Sequence, residues 1–243
     1  MLTDTSLLDV VNKIDINVIF TIISNMSSKV RNGMRKARKI LKGFYAENSL
    51  EAGIDEAGRG PLFGRVYVGA AILHPTDFDH SLMRDSKKLS YRKRLQAYDY
   101  IKENAIDWAV FYHDEKTIDE INIFNATYDA MHKALDKLQV RPELILVDGS
   151  HFVPYSFEGE QVSNICIEKG DDTYSSIAAA SILAKVERDK YIEELCDKYE
   201  NLNEFYGIAS NKGYGTAKHM EGIKQHGISK WHRKTFGICR QYD

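Results

Sequence analysis

Apolar side chains recur along this chain with two spacings, and the change from one to the other divides it. Between Lys29 and Lys42, the residues Val30, Met34, Ala37 and Leu41 fall three or four apart in an otherwise basic stretch, the stripe of an amphipathic helix. From about Leu50 the pattern turns to short runs of β-branched and small apolar residues. Glu51–Asp55, Arg65–Leu73 (RVYVGAAIL) and Ile106–Tyr112 (IDWAVFY) predict three strands, and short glycine or polar links predict that they pair antiparallel. Helical spacing returns over Ile123–Leu138, where Phe124, Tyr128, Met131 and Leu135 share a face. Two strands follow, Leu144–Val147 and Val162–Ile167. A long helix, Ser175–Tyr199, is small and apolar in its first half and charged in its second. Strand–helix–strand spacing calls for parallel crossovers, so the sheet is mixed and the class is α/β.

Length adds a bound: 243 residues hold one α/β domain and a small appendage. A hydrophobic content of 43% excludes a disordered chain. Three cysteines without a CxxC pair (Cys166, Cys196, Cys239) argue against a disulfide framework or zinc knuckle and for a reducing compartment. Asp4 and Asp9 stand where a secretory leader carries lysine, and the apolar run Ile16–Ile23 is too short to span a bilayer. The expectation is a cytoplasmic protein with no membrane segment. The net charge of −2 hides a division: residues 1–50 carry +4, residues 51–204 carry −11 and residues 205–243 carry +5. An acidic body between basic ends suits a metal site flanked by phosphate-binding arms, although solvated tails alone give the same sums.

The candidate chemistry lies in that acidic body. Asp55-Glu56 closes the first predicted strand, Asp148 the fourth, and Asp171-Asp172 follows the fifth. Ligands of open α/β sheets bind outside the carboxyl ends of strands, so these acids are candidates for one cleft. Adjacent strand residues face opposite sides, so Asp55 and Glu56 share a centre only if the backbone turns there; Gly53 and Gly58 predict such a turn. Clustered carboxylates repel one another unless cations neutralise them, and hard divalent cations prefer oxygen ligands. Two ions about 3.5–4 Å apart suit phosphodiester hydrolysis. The Gly58-Arg59-Gly60 triplet beside the acids lets backbone approach a polyanion closely.

The segment GIDEAGRGPLFG at Gly53–Gly64, with Asp85-Ser-Lys-Lys-Leu89, Ile121-Asn-Ile-Phe-Asn-Ala-Thr127, Leu146-Val-Asp-Gly149, Lys169-Gly-Asp171, the run Ala179–Val186 with Arg188-Asp189, Lys212-Gly-Tyr-Gly-Thr216 and His232-Arg-Lys-Thr-Phe236, resembles the ribonuclease HII family in order and spacing over roughly residues 51–238. The resemblance implies a ribonuclease H-like fold, a mixed five-stranded sheet flanked by helices with a helical C-terminal segment. It divides the chain into a basic helical extension (1–48), a catalytic core (49–200) and a segment completing the substrate cleft (201–243).

The same resemblance implies an enzyme that cleaves the RNA strand of RNA–DNA hybrids and nicks duplex DNA 5′ of an embedded ribonucleotide, leaving 3′-hydroxyl and 5′-phosphate ends. Two magnesium or manganese ions are held by Asp55, Glu56, Asp148 and Asp171. Asp55 bridges them, Asp171 stands on the water side, and Glu56 and Asp148 on the leaving-group side. The backbone of Gly58, Arg59 and Gly60 reads the 2′-hydroxyl, Tyr214 packs on the adjoining deoxyribose, and Lys87 contacts phosphate. The unit is a monomer. A ribonuclease HIII-like or DNA-junction nuclease, and a non-catalytic nucleic-acid-binding protein, are the alternatives. Asp172 then reads as a helix N-terminal residue, Arg188 as structural, and His232 and Arg233 as serving either DNA binding or packing. Phe63 and Arg65 depart from the family pattern and put a ring and a charge near the substrate edge.

Overall fold

A computed structural model describes residues 40–242. The run Ile16–Ile23 and most of the helix expected over Lys29–Lys42 lie outside the described residues. The last residues of that stretch are not helical. The Lys42 N–H donates to the Thr173 carbonyl and the Lys42 carbonyl accepts from Ser175, so this backbone is committed to a bridge with Tyr174.

Five strands form the main sheet in the order β3-β2-β1-β4-β7: β1 (Glu51–Ala57), β2 (Val66–Ile72), β3 (Asp107–His113), β4 (Leu144–Asp148) and β7 (Ser163–Ile167). β1–β2 and β2–β3 are antiparallel, whereas β1–β4 and β4–β7 are parallel. A small hairpin of β5 (Ser156–Phe157) and β6 (Glu160–Gln161) precedes β7. The sheet is thus mixed, as the spacing predicts. The β2–β3 link is not short, however, because it holds α1 (Tyr91–Asn104). Only Ala97, Tyr98 and Ile101 of that helix are buried, too thin a stripe to stand out among its charges. A second unpredicted helix, α2 (Glu115–Ile121), is short and capped by Asp114. It leads through Asn122 into α3 (Ile123–Asp136), which the spacing does predict.

Helix α4 (Ser175–Lys198) lies on one face of the sheet and α3 on the other. Ala178, Ala179, Ile182 and Leu183 of α4 join one core, and Ala130, Met131, Ala134 and Leu135 of α3 pack with Ile54, Val68 and Val147 in a second. Each fully buried Ile or Leu there contributes about 1.5–3 kcal/mol. Gly53 makes the α4 contact possible: a Cβ on it would stand 2.1 Å from the Ser176 carbonyl carbon. This glycine therefore serves close helix–sheet approach and not a turn. β1 runs on in register to Ala57, paired with Tyr67, so the turn expected at Asp55–Glu56 does not occur. After α4 come α5 (Glu200–Tyr206), α6 (Ile208–Asn211) and α7 (Ala217–His226). With Phe63, Tyr191 and Ile192 they close a further core near the loop that follows β1.

Candidate active site

The parallel register Ile54↔Val147 carries β1 and β4 side by side to their ends, so Asp55 and Asp148 are neighbours. Asp55 shares the face of Gly53, toward α4, and is buried. Burial pushes its proton affinity well up, the charges of Glu56 and Asp148 add to that, and a hydrogen bond from Ser181 on α4 acts against it. Glu56, one residue on, faces the opposite side of the pleat. Its carboxyl also takes up protons more readily than usual, from burial first, while Arg59 opposes the shift through an ion pair of 3.2 Å. The Arg59 guanidinium also lies 5.2 Å from the ring centre of Phe124, which is exposed at the start of α3.

Asp148 is anchored by the Gly170 N–H, which donates to Oδ1 at 2.7 Å. That bond draws the 3-10 turn Gly170–Asp172 against the end of β4 and brings Asp171 with it. Burial, followed by the charges of Asp148 and Asp85, raises Asp171 to about 6. The neighbouring Asp172 lies in this turn, before α4 begins, and pairs with Lys88 at 3.0 Å. Asp148 acts on Asp55, Glu56 and Asp171 alike, which ties the four acids into one electrostatic unit. As the side chains stand, no group of three or more His, Cys, Asp or Glu among the described residues is drawn together tightly enough to hold an ion. The donor set is nevertheless all oxygen, with raised proton affinity in three of its members, and that chemistry fits a hard divalent cation.

Next to the acids opens a cleft of 350 Å³, lined by Glu56, Gly58, Arg59, Gly60, Lys87 and Tyr214 among others. The loop Gly58–Gly64 is held from behind by Arg233, which is fully buried. Its guanidinium donates to the carbonyls of Gly58 (2.6 Å), Arg59 (2.9 Å), Pro61 (2.8 Å) and Gly64 (2.8 Å). In a trans peptide the N–H points opposite to the preceding carbonyl. With the Gly58 and Arg59 carbonyls turned inward, the N–H groups of Arg59 and Gly60 point away from Arg233. Gly58 takes φ +98°, and a Cβ there would stand 2.2 Å from Arg188 Nε.

Arg188, also buried, donates to the carbonyls of Arg65, Phe63 and Lys212 and so links this loop to the one carrying Tyr214. Tyr214 is 48% exposed and lines the cleft. Lys87 reaches the cleft from the turn Ser86–Lys88, close enough for its charge to act on Glu56 and Asp171. Six of the nine residues singled out in the sequence thus line this cleft, and Asp55, Asp148 and Asp171 are tied to it through their charges on Glu56 and one another and through Lys87. Phe63 is a correction: it is fully buried in the core instead of edging the cleft. Arg65 is another, its guanidinium sandwiched between the rings of Tyr112 (4.0 Å) and Tyr191 (4.3 Å). Arg233 and His232 are buried and serve packing; Phe124, expected on the apolar face of its helix, is exposed under Arg59 instead, and His219 carries no sequence signal that marks it.

A family model described as Ribonuclease HII matches residues 52–239. The ribonuclease HII of Parabacteroides distasonis is 48% identical over 199 residues, covering 82% of this chain and 96% of its own. That of Phocaeicola vulgatus is 44% identical over 199 residues, covering 82% and 94%. Among solved structures, the ribonuclease H2 from Pyrococcus horikoshii matches with a TM-score of 0.67 at 29% identity, covering 79% of this chain and 96% of that one. The RNase HII of Archaeoglobus fulgidus, solved in complex with PCNA, gives 0.62 at 26% identity, covering 78% and 96%.

Proposed function

This chain belongs to the ribonuclease HII family, and from that premise we propose how its cleft cleaves RNA–DNA hybrids and nicks duplex DNA 5′ of an embedded ribonucleotide. Asp55, Glu56, Asp148 and Asp171 hold the divalent cations, magnesium or manganese, two per site. When bound, these ions supply an activated water and neutralise charge on the leaving oxygen. The protein's own residues do the rest. Asp148 is pre-oriented by the Gly170 N–H, and Asp55 is kept ready by burial that disfavours an uncompensated charge. Arg59 provides counter-charge to Glu56.

Selectivity for ribose rests on the loop. The Arg59 and Gly60 N–H groups donate to the 2′-hydroxyl, a group that both donates and accepts and that DNA lacks. Tyr214 packs on the deoxyribose that follows, and Lys87 takes a phosphate. The observation that carries this reading is the grip of Arg233 on four loop carbonyls, which supports the Arg59 and Gly60 N–H groups facing away from it as donors beside the acids. In this reading the unit acts as a monomer, with 49–200 as the core, 201–243 completing the cleft and 1–48 as an accessory arm. The three cysteines are free, which supports a cytoplasmic location, and no helix of the described residues is long and apolar enough to cross a membrane.

The test is cleavage of three duplexes in magnesium and in manganese: DNA with a single ribonucleotide, a long RNA–DNA hybrid, and DNA alone. The first two are cut and the third is not, and Asp148→Asn abolishes both activities while the protein stays folded. Full metal-dependent cleavage by that variant overturns the assignment of the acids; failure to nick the single-ribonucleotide duplex overturns the junction claim.

A further inference from the structure

Behind the Tyr214 loop lie two histidines for which the carboxylate chemistry has no use. His219 stands in the first turn of α7 and His232 in the C-terminal segment, and both are buried. Their Nε2 atoms are 3.0 Å apart. The other nitrogen of His232 meets the Ser229 N–H at 2.9 Å and the Ser229 hydroxyl at 2.8 Å. The other nitrogen of His219 lies 2.9 Å from the Tyr214 carbonyl oxygen.

The proton positions follow from the two ends of this chain of bonds. A backbone N–H only donates, so His232 Nδ1 accepts from Ser229 and the neutral ring carries its proton on Nε2. That proton is donated to His219 Nε2, which leaves the His219 proton on Nδ1. A carbonyl only accepts, so His219 Nδ1–H donates to Tyr214, and both ends demand the same direction. Burial keeps both rings neutral by lowering their proton affinity, His232 to about 3. Edge-on contacts of His232 with Phe63 and Tyr206 fix its ring plane.

The peptide they grip needs holding. Lys212 and Gly213, just before Tyr214, both take positive φ, at +51° and +86°. The Tyr214 carbonyl already accepts from the Thr216 N–H at 2.8 Å, and His219 supplies a second donor from another direction.

We infer that the His232–His219 pair is a positioning device for Tyr214, orienting the peptide from which the exposed ring reaches the sugar beside the ribonucleotide, and so setting preference for the junction. This rests on the sugar contact proposed for Tyr214. His219→Asn places an amide nitrogen near the Nδ1 position and keeps the bond to Tyr214. His219→Gln places its amide near Nε2, keeping the link to His232 and losing Tyr214.

KM and kcat are measured on DNA with one ribonucleotide and on a long hybrid. The Gln variant raises KM on the first by about three- to tenfold, the worth of one hydrogen bond, with kcat on the hybrid unchanged. The Asn variant stays near the native KM. In a Tyr214→Ala background the Gln effect vanishes. Equal KM shifts for the two variants, or a Gln effect that persists without the Tyr214 ring, overturn the inference. An unchanged KM for Tyr214→Ala alone instead overturns the sugar contact. Should the variants not fold, ¹⁵N NMR of the native protein decides: His219 protonated at Nδ1 and His232 at Nε2 are expected, and the reverse tautomers overturn it.

Discussion

Replacing Arg233 by methionine keeps the length and bulk of the side chain and removes every donor. The native guanidinium is fully buried, faces no carboxylate within ion-pair distance among the described residues, and satisfies the carbonyls of Gly58, Arg59, Pro61 and Gly64. Hydrogen bonds to a charged group contribute about 1.5–3 kcal/mol each, but burying an unpaired cation costs several kcal/mol in return. Removing the cation returns that cost and leaves four carbonyls to find water or stay unsatisfied, at about 1–3 kcal/mol for each that stays dry. Four carbonyls at that cost, less the several kcal/mol returned by removing the buried cation, leave a net loss of about 3–5 kcal/mol.

For a domain of this size that loss lowers Tm by about 6–20 °C. Differential scanning calorimetry in chelator measures it without interference from metal binding. Arg233→Lys, a point charge that cannot fork to four acceptors, falls between the two. Nicking beside a ribonucleotide should drop more steeply than cutting of a long hybrid, because the released loop no longer presents the Arg59 and Gly60 N–H groups. A methionine variant melting within about 2 °C of native, with unchanged selectivity, refutes the claim that Arg233 shapes the loop.

Gly53→Ala brings a methyl to within 2.1 Å of the Ser176 carbonyl carbon. Pushing α4 off the sheet costs at least about 1–3 kcal/mol, seen as a lower denaturant midpoint; an unchanged midpoint contradicts the close packing. In chelator, Asp171 titrates near 6 in the folded protein against an ordinary 3.8. The folded state therefore holds this proton more tightly, and the stability it adds is present below the unfolded value and lost as pH rises through about 6. Asp171→Asn should flatten the stability–pH curve over that window by about 1–3 kcal/mol, and an unchanged slope in chemical denaturation rules out the raised carboxyl. Lys87→Ala removes one cleft cation, so the slope of log affinity against log salt should fall by about one unit; no change places Lys87 off the phosphate path.

Strand ends were the most legible feature of the sequence, because an apolar run that stops on an acid marks both the element and its chemistry. Asp55, Asp148 and Asp171 could be grouped on that basis, and the parallel register of β1 and β4 brings the first two side by side. Glycine was less legible. Gly53 and Gly58 look alike in the chain, yet one admits a helix backbone and the other a positive φ. Helix α1 escaped notice because only three of its residues are buried. Phe63 reads as a surface intrusion until the C-terminal helices fold over it. Least legible were His219 and the clamping role of Arg233, both of which act on main-chain carbonyls; a backbone acceptor exists at every position and leaves no pattern of residue types to detect.

Arg233 stands 62 residues beyond Asp171 in the chain, which gives the molecule an order of events during synthesis. All four acids leave the ribosome well before the clamp that organises their neighbouring loop. A nascent chain therefore possesses its four acids while the loop beside them still lacks its clamp, and that loop is fixed only after the segment carrying Arg233 has emerged.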